Sequence, residues 1–450
     1  MKRRGGLLSL AVVAAIGLCL APAGASSRSQ HGNVLVVDDD QPHRSCLGSR
    51  HAFDTIQAAV KAAHPGDTIR VCPGLYEETV KVRTRRLTIK GANAGRDATG
   101  RGRGPESIVT SDDATGTVQL RADDITWDGF KIRGVRGEEN GPGMYTSPHH
   151  SGYVVRDTIF EDNGVGLHLG ADGRHLTFIC RNRFVANNEF TTGGYGVVSD
   201  EGAEKVLITY NRFERHNGAA IFFADHDLVN GTPSVRQRHV LVEKNRSIDD
   251  KTFAAFFASS DVGLRANSIR ARVNDDAFPL RTSAIRIGAR NHDVVVYKNR
   301  VYSASGNGID VTDSGEPGHE PAAPTKVDVS KNKVEHAQLL GIDISASGVG
   351  QYRVRKNRAR SNTEVGIHLG PATDDTLVTG NTALDNGLDC QDESLGTKNT
   401  WQENVGVTSD PLRLCSAPTG NHQPGHGGGH HPHKPKKDPC TCKTHYRQAI

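Results

Sequence analysis

Helical periodicity is almost missing from this chain, and aromatic side chains are sparse, at 5% of the residues. Positive charge is not massed either, because the formal net charge is only +4 across 450 residues. Without a basic face or interleaved stacking residues, nucleic-acid binding has no support. The one long hydrophobic run, Leu7 to Leu20, follows Lys2, Arg3 and Arg4 and precedes Ala23-Gly24-Ala25. That order reads as a secretory signal peptide over residues 1–25, and no other stretch is long or apolar enough to enter a bilayer. Leu18 stands before Cys19 where a lipoprotein signal needs a small residue, so the expected product is secreted and unanchored.

What the chain has instead is a repeat. Asn182, Asn211, Asn245, Asn267, Asn299, Asn332, Asn357, Asn381 and Asn404 each follow a short β-branched run, with spacings by subtraction of 29, 34, 22, 32, 33, 25, 24 and 23 residues. Asp128 and Asp157 read as earlier members of the series. Three residues before each member stands an apolar residue, and two residues after it usually another, as in Ile179 and Phe184 or Val296 and Val301, with smaller or polar residues at Ser247, Ala359, Ala383 and Gly406. Short strands broken by Asn and Gly at this period predict a solenoid whose units bury their apolar faces only by stacking. Stacked side-chain amides can donate to one neighbour and accept from the other, so the asparagines are expected to form a ladder.

The predicted fold is all-β: a right-handed parallel β-helix of eleven or twelve coils over residues 33–415, with an N-terminal cap at 33–76 that includes an α-helix. In the cap, Asp54 with Gln57 three residues on forms a capping-box variant, Ile56, Ala59, Val60 and Ala63 make one apolar face, and Pro65-Gly66 ends the helix. Residues 416–450, rich in His, Pro, Gly and Lys, cannot build a packed core and read as a disordered tail. Seven cysteines remain after signal removal, and export permits disulfides. Proximity in sequence pairs Cys46 with Cys72 and Cys390 with Cys415, at the two ends of the solenoid. Cys180 has no obvious partner and is expected to be an inert thiol.

The string from Phe53 through Asp54-Thr55-Ile56-Gln57 to Pro65-Gly66-Asp67-Thr68-Ile69 and Pro73-Gly74-Leu75-Tyr76 resembles the opening of secreted right-handed β-helix proteins of the pectin-lyase-like superfamily. Gly143-Met144-Tyr145-Thr146-Ser147-Pro148 and Ser199-Asp200-Glu201-Gly202 are similar to the NosD-like, carbohydrate-binding and sugar-hydrolase type. The resemblance implies the fold and an extracellular polysaccharide as partner, and covers roughly residues 33–415. Known catalytic signatures of the superfamily are absent: Gly425-His426-Gly427 lies in the tail, and Ser147-Pro148-His149-His150 lacks the aspartates of a D-P-H-D motif. Copper handling is disfavoured, since it calls for soft ligands and Met1 and Met144 are the only methionines.

Chemistry is expected on an outward column. Within each coil a second strand has the form Gly/Ala-apolar-x-apolar, and alternation turns x outward. Reading x coil by coil gives Tyr145, His168, Val198, Phe222, Phe257, Arg286, Asp310, Asp343, His368 and Asp389. Tyr145, His168, Phe222 and Phe257 are the expected substrate-binding residues, the two Phe as platforms for sugar rings. Arg286, Asp310, Asp343 and His368 are the expected catalytic group. Adjacent Asp310 and Asp343 should repel and raise one carboxyl pKa unless a cation such as Arg286 compensates. Such a pair suits acid–base work, sugar binding or Ca2+ ligation. Insertions carrying Asp225-His226-Asp227, Asn274-Asp275-Asp276 and Asp313 to Glu320 are expected to wall the groove. The functional reading is a secreted monomer that binds or acts on a polysaccharide, as a lyase or epimerase on a uronate polymer if catalytic. The alternative is a non-catalytic cell-surface or cell-wall adhesion protein.

Overall fold

The computed structural model describes residues 32–40, 46–49, 51–134, 141–188, 194–225, 237–273, 282–314, 322–394 and 398–418. The signal segment, the tail beyond residue 418, His226-Asp227, Asn274-Asp275-Asp276 and most of the insertion after Ser314 lie outside them. Among the described residues, strands fall into three long sheets of 14, 13 and 12 strands, each joined to its neighbours in parallel, with Gly348–Val349 and Thr373–Asp374 as a separate parallel pair. Successive strands visit the 14-, 12- and 13-stranded sheets in turn, and twelve complete coils follow. Parallel crossovers of one chain wind right-handed. The expected right-handed parallel β-helix is therefore the observed fold.

Two-residue alternation puts one face of every strand inside. The interior is a continuous apolar stack, from Val37 and Ile56 at one end to Ala383 and Cys390 at the other. Like residues sit over like: Phe160, Phe184 and Phe213 stack with centroids 4.7 and 4.9 Å apart and rings within 7° of parallel. This spacing is the interstrand repeat itself, so aromatic stacking and strand pairing reinforce each other.

At the turn from the 14- to the 12-stranded sheet the asparagines form an unbroken ladder. From Asn182 to Asn404, each Nδ2 donates to the Oδ1 of the next asparagine at 2.9–3.1 Å. Each Nδ2 also donates to a strand carbonyl of the coil before, as Asn299 does to Leu264 O at 2.8 Å. Each Oδ1 accepts in addition the backbone N–H of the preceding asparagine, as Asn332 Oδ1 does from Asn299 N at 2.9 Å. The turn works because the residue just before the asparagine takes a left-handed conformation, with φ near +55° at Arg181, Tyr210, Lys244, Lys298, Lys331 and Lys356.

Asp128 and Asp157 are not members of the ladder. Thr158 holds that position, its N–H donating to Asn182 Oδ1 at 3.0 Å, while Asp157 pairs with Arg181 and Asp128 with Arg156. An ionised carboxylate only accepts, so it cannot replace a group that must donate and accept together.

The cap differs in one detail from its sequence reading. The helix spans Ile56–Ala62, and Thr55, not Asp54, is its N-cap, accepting from Ala58 N at 3.1 Å. Glu78, from the following coil, accepts the free N–H groups of Ile56 and Gln57 at 2.7 and 2.8 Å. Gln57 instead uses its side chain on the Lys81 backbone, so no capping box closes. Disulfides join Cys46 to Cys72 and Cys390 to Cys415, with Cα separations of 5.8 and 6.3 Å, and staple the two ends as expected. Cys180 is itself disulfide-bonded, which corrects the inert-thiol expectation.

Replacing Asn299 by Asp removes the Nδ2 donor that serves both Leu264 O and Asn332 Oδ1 in a buried site. Urea titration of Asn299→Asp should show a loss of about 2–4 kcal/mol. A change below about 0.5 kcal/mol would mean that the ladder adds no stability.

Candidate functional site

The exterior of the 13-stranded sheet carries the predicted column, and strand register tests it directly. Tyr145 pairs with His168, His168 with Val198, and Val198 with Phe222. Arg286 pairs with Asp310, Asp310 with Asp343, and Asp343 with His368. Two members are displaced. Phe222 pairs with Ala255, which in turn pairs with Arg286, so Phe257 lies two residues beyond the column position, just past the end of the strand Thr252–Phe256. Gln391, not Asp389, continues the column after His368. Asp389 is buried and accepts from Asn386 and from the N–H groups of Val407 and Thr408, closing the last coil.

The four charged residues form one contiguous group on four successive strands. Asp310 and Asp343 are only 8% and 6% exposed, and His368 8%, although all three point away from the core. Such burial of charge demands partners, and each has them. Ser283 Oγ donates to Asp310 Oδ2 at 3.0 Å, and Arg286 Nε lies 3.8 Å from the same oxygen. Asp343 accepts from Asn307 Nδ2 at 3.0 Å and from Ser345 Oγ at 2.6 Å, and its Oδ1 is 2.7 Å from His368 Nδ1. The other ring nitrogen of His368 lies 3.5 Å from Glu393. Arg286 donates to Ser314 Oγ and sits over the Phe257 ring, 5.8 Å from its centroid. Ser314 opens one of the insertions expected to wall the groove.

The electrostatics divide the two aspartates. Burial, aided by the charge of Asp343, pushes the Asp310 carboxyl up to about 6, against the opposing pull of Arg286 and Ser283. Burial alone would depress His368, but the hydrogen bond and charge of Asp343, with Glu393, outweigh it and raise the imidazole above its ordinary value. A carboxyl raised to about 6 thus lies two strands from an imidazole whose protonated form is favoured.

Towards the N-terminal end the column is a separate polar cluster. Tyr145 Oη donates to Glu201 at 2.8 Å, His168 Nε2 is 2.5 Å from Asp200, and the Arg121 guanidinium lies 5.0 Å from the Tyr145 centroid. His168 and Arg286 are four strands apart, about 19 Å at the interstrand repeat. Between them Phe222 is half-buried, and Phe257 is only 8% exposed, packed with Phe222 and Ala224. Phe257 is therefore not an open platform for a sugar ring; it supports Arg286 from beneath.

Sequence reading missed Ser283, Asn307, Ser345 and Glu393, which hold the charged group, and Asp200 and Glu201, which hold the other. Asp200 and Glu201 stood in the Ser199–Gly202 string that carried the family resemblance, a signal present but not linked to the column. The polar small residues carry no distinguishing spacing. The charged group does not fit Ca2+, because Asp343 has both oxygens engaged by donors and Arg286 already supplies positive charge.

A raised folded-state pKa means that the stability from Asp310 is complete below its unfolded value of 3.8 and is lost as pH rises through about 6. Asp310→Asn stays neutral and escapes that loss. The stability of Asp310→Asn relative to the unsubstituted protein should therefore rise by roughly 3 kcal/mol between pH 4 and pH 8, read from urea midpoints. A difference that does not change with pH would show that Asp310 titrates normally.

Comparison with known proteins bears on the fold. Residues 234–383 match the family model described as a right handed beta helix region. No curated protein matches the chain. Among solved structures the chain is similar to a Dettilon tailspike protein, at 14% identity and a TM-score of 0.44, over 86% of this chain. The match spans 64% of the tailspike's own length. It is also similar to a periplasmic alginate epimerase, at 12% identity and a TM-score of 0.41, covering 76% of this chain and 77% of that one. A third is DFA-IIIase from Arthrobacter chlorophenolicus A6, at 13% identity and a TM-score of 0.42, covering 78% and 95%. With three parallel sheets wound from one strand to the next and the family match across its central coils, the chain has the right-handed parallel β-helix fold that its resemblance to the pectin-lyase-like superfamily implied.

Proposed function

We propose that the protein is a secreted enzyme that lays an extended uronate-containing polysaccharide along the exterior of the 13-stranded sheet and cleaves it by β-elimination. The observation that carries this reading is the contiguous Arg286, Asp310, Asp343 and His368 group, with one carboxyl raised to about 6 and an imidazole raised above its ordinary value two strands away. Arg286 neutralises the uronate carboxylate, which acidifies the adjacent C5 proton. Asp310, ionised above about pH 6, takes that proton. The electron pair left on C5 forms the C4–C5 double bond, the C4–O4 bond breaks, and His368 delivers its proton to the departing oxygen. Asp343 positions His368 and favours its protonated form. Tyr145 and His168 hold a more distant part of the chain, and Phe222 offers a half-buried apolar edge between them.

Export fits the two end disulfides, which persist in oxidising compartments. Among the described residues no helix is long and apolar enough to cross a membrane.

Incubation with a panel of uronate and neutral polysaccharides should yield a 4,5-unsaturated product from a uronate polymer only. Its rate should be bell-shaped in pH, with an acid limb near 6 from Asp310 and an alkaline limb above the ordinary histidine value. Asp310→Asn and His368→Ala should each lower turnover by about 100-fold or more while binding persists. Glycan binding with no turnover in the unsubstituted protein would favour the non-catalytic surface role instead.

A further inference from the structure

A second exterior face carries features that the groove does not use. In the 14-stranded sheet Ile179 points into the core, so its neighbours Phe178 and Cys180 point out. Phe178 pairs with Leu207 and Leu207 with Leu241, which makes an outward apolar row on three successive strands. These three are only 6%, 6% and 2% exposed, and Cys180 is fully buried. The neighbours packed on the row are Val154 and Leu176, both themselves partly open. Further along the same column Val295 is half-buried and Arg353 exposed, so the cover is local.

Cysteine pairing points to what covers it. Cys180 is disulfide-bonded, and the other four described cysteines are joined to each other. Of the eight cysteines in the chain, only Cys19, Cys440 and Cys442 remain as partners. Cys19 belongs to the segment expected to be removed on export. We propose that the C-terminal segment docks on the exterior of the 14-stranded sheet over Phe178, Leu207 and Leu241, tethered by a disulfide between Cys180 and Cys440 or Cys442.

Reach is sufficient. The last paired residue, Ser416, bridges Val405 at the far end of the solenoid. The strand bearing Cys180 is eight steps from the final strand of its sheet, about 38 Å at the interstrand repeat. The 22 residues separating 418 from 440 span up to about 73 Å when extended. A tether on this face leaves the 13-stranded sheet open, so the inference does not depend on the catalytic reading.

The test is a disulfide map of the secreted full-length protein, alkylated without reduction, digested and analysed by mass spectrometry. A peptide joining Cys180 to Cys440 or Cys442 is expected, along with about one alkylated thiol per chain from the cysteine left over. Cys180 joined to Cys19, or recovered alkylated, would overturn the proposal. In full-length Cys440→Ser/Cys442→Ser, Cys180 should become open to thiol reagents and binding of an apolar fluorescent dye should rise severalfold. Dye binding unchanged while Cys180 reacts would overturn docking over the apolar row.

Discussion

The structure depends on one saturated contact, the asparagine amide that donates twice and accepts twice at the same turn of successive coils. Because Nδ2 reaches one coil back and one asparagine forward, and Oδ1 takes two donors, the group ties three coils into a single register. A one-residue slip would reverse the facing of every side chain on a strand. Fixing phase at the turn therefore fixes which residues form the core and which line the outside. The left-handed residue before each asparagine supplies the bend that makes the geometry repeat.

That phase is why Arg286, Asp310, Asp343 and His368 meet although up to 82 residues separate them in sequence, by subtraction of their numbers. Parallel in-register pairing places each above the last, and an exterior sheet face that would ordinarily hold solvated charges holds nearly buried ones. Burial without solvent forces the group to satisfy itself. Asp343 gives its charge to His368, which leaves Asp310 to meet the cost of desolvation with only Arg286 and Ser283, and its pKa rises. The division of labour between two chemically identical side chains comes from their neighbours, not from their identity.

The repeat, both end disulfides and the charged column were readable because each is periodic or local in sequence. The errors have physical causes. Around Thr252–Phe256 both strand faces are apolar, so alternation carries no phase, and the sequence pattern places Phe257 where Ala255 stands. In the last coil Asp389 falls between Leu388 and Cys390, which pair with Val365 and Ile367; it occupies the place of Gly366, two residues before the column position on the same strand. Asp128 and Asp157 resemble asparagine in shape but lack its donor. Cys180 has no cysteine near it in sequence, so proximity offers it no partner.

Register assembles the Arg286, Asp310, Asp343 and His368 group on the outside of the solenoid, and its proposed role is to hold a uronate. A crystal structure of the Asp310→Asn variant with a bound uronate oligosaccharide tests it most directly. The account predicts a sugar carboxylate on Arg286, the C5 position facing residue 310 and the glycosidic oxygen within hydrogen-bond reach of His368. An oligosaccharide bound on another face, or lying across the column with its carboxylates away from Arg286, would contradict it.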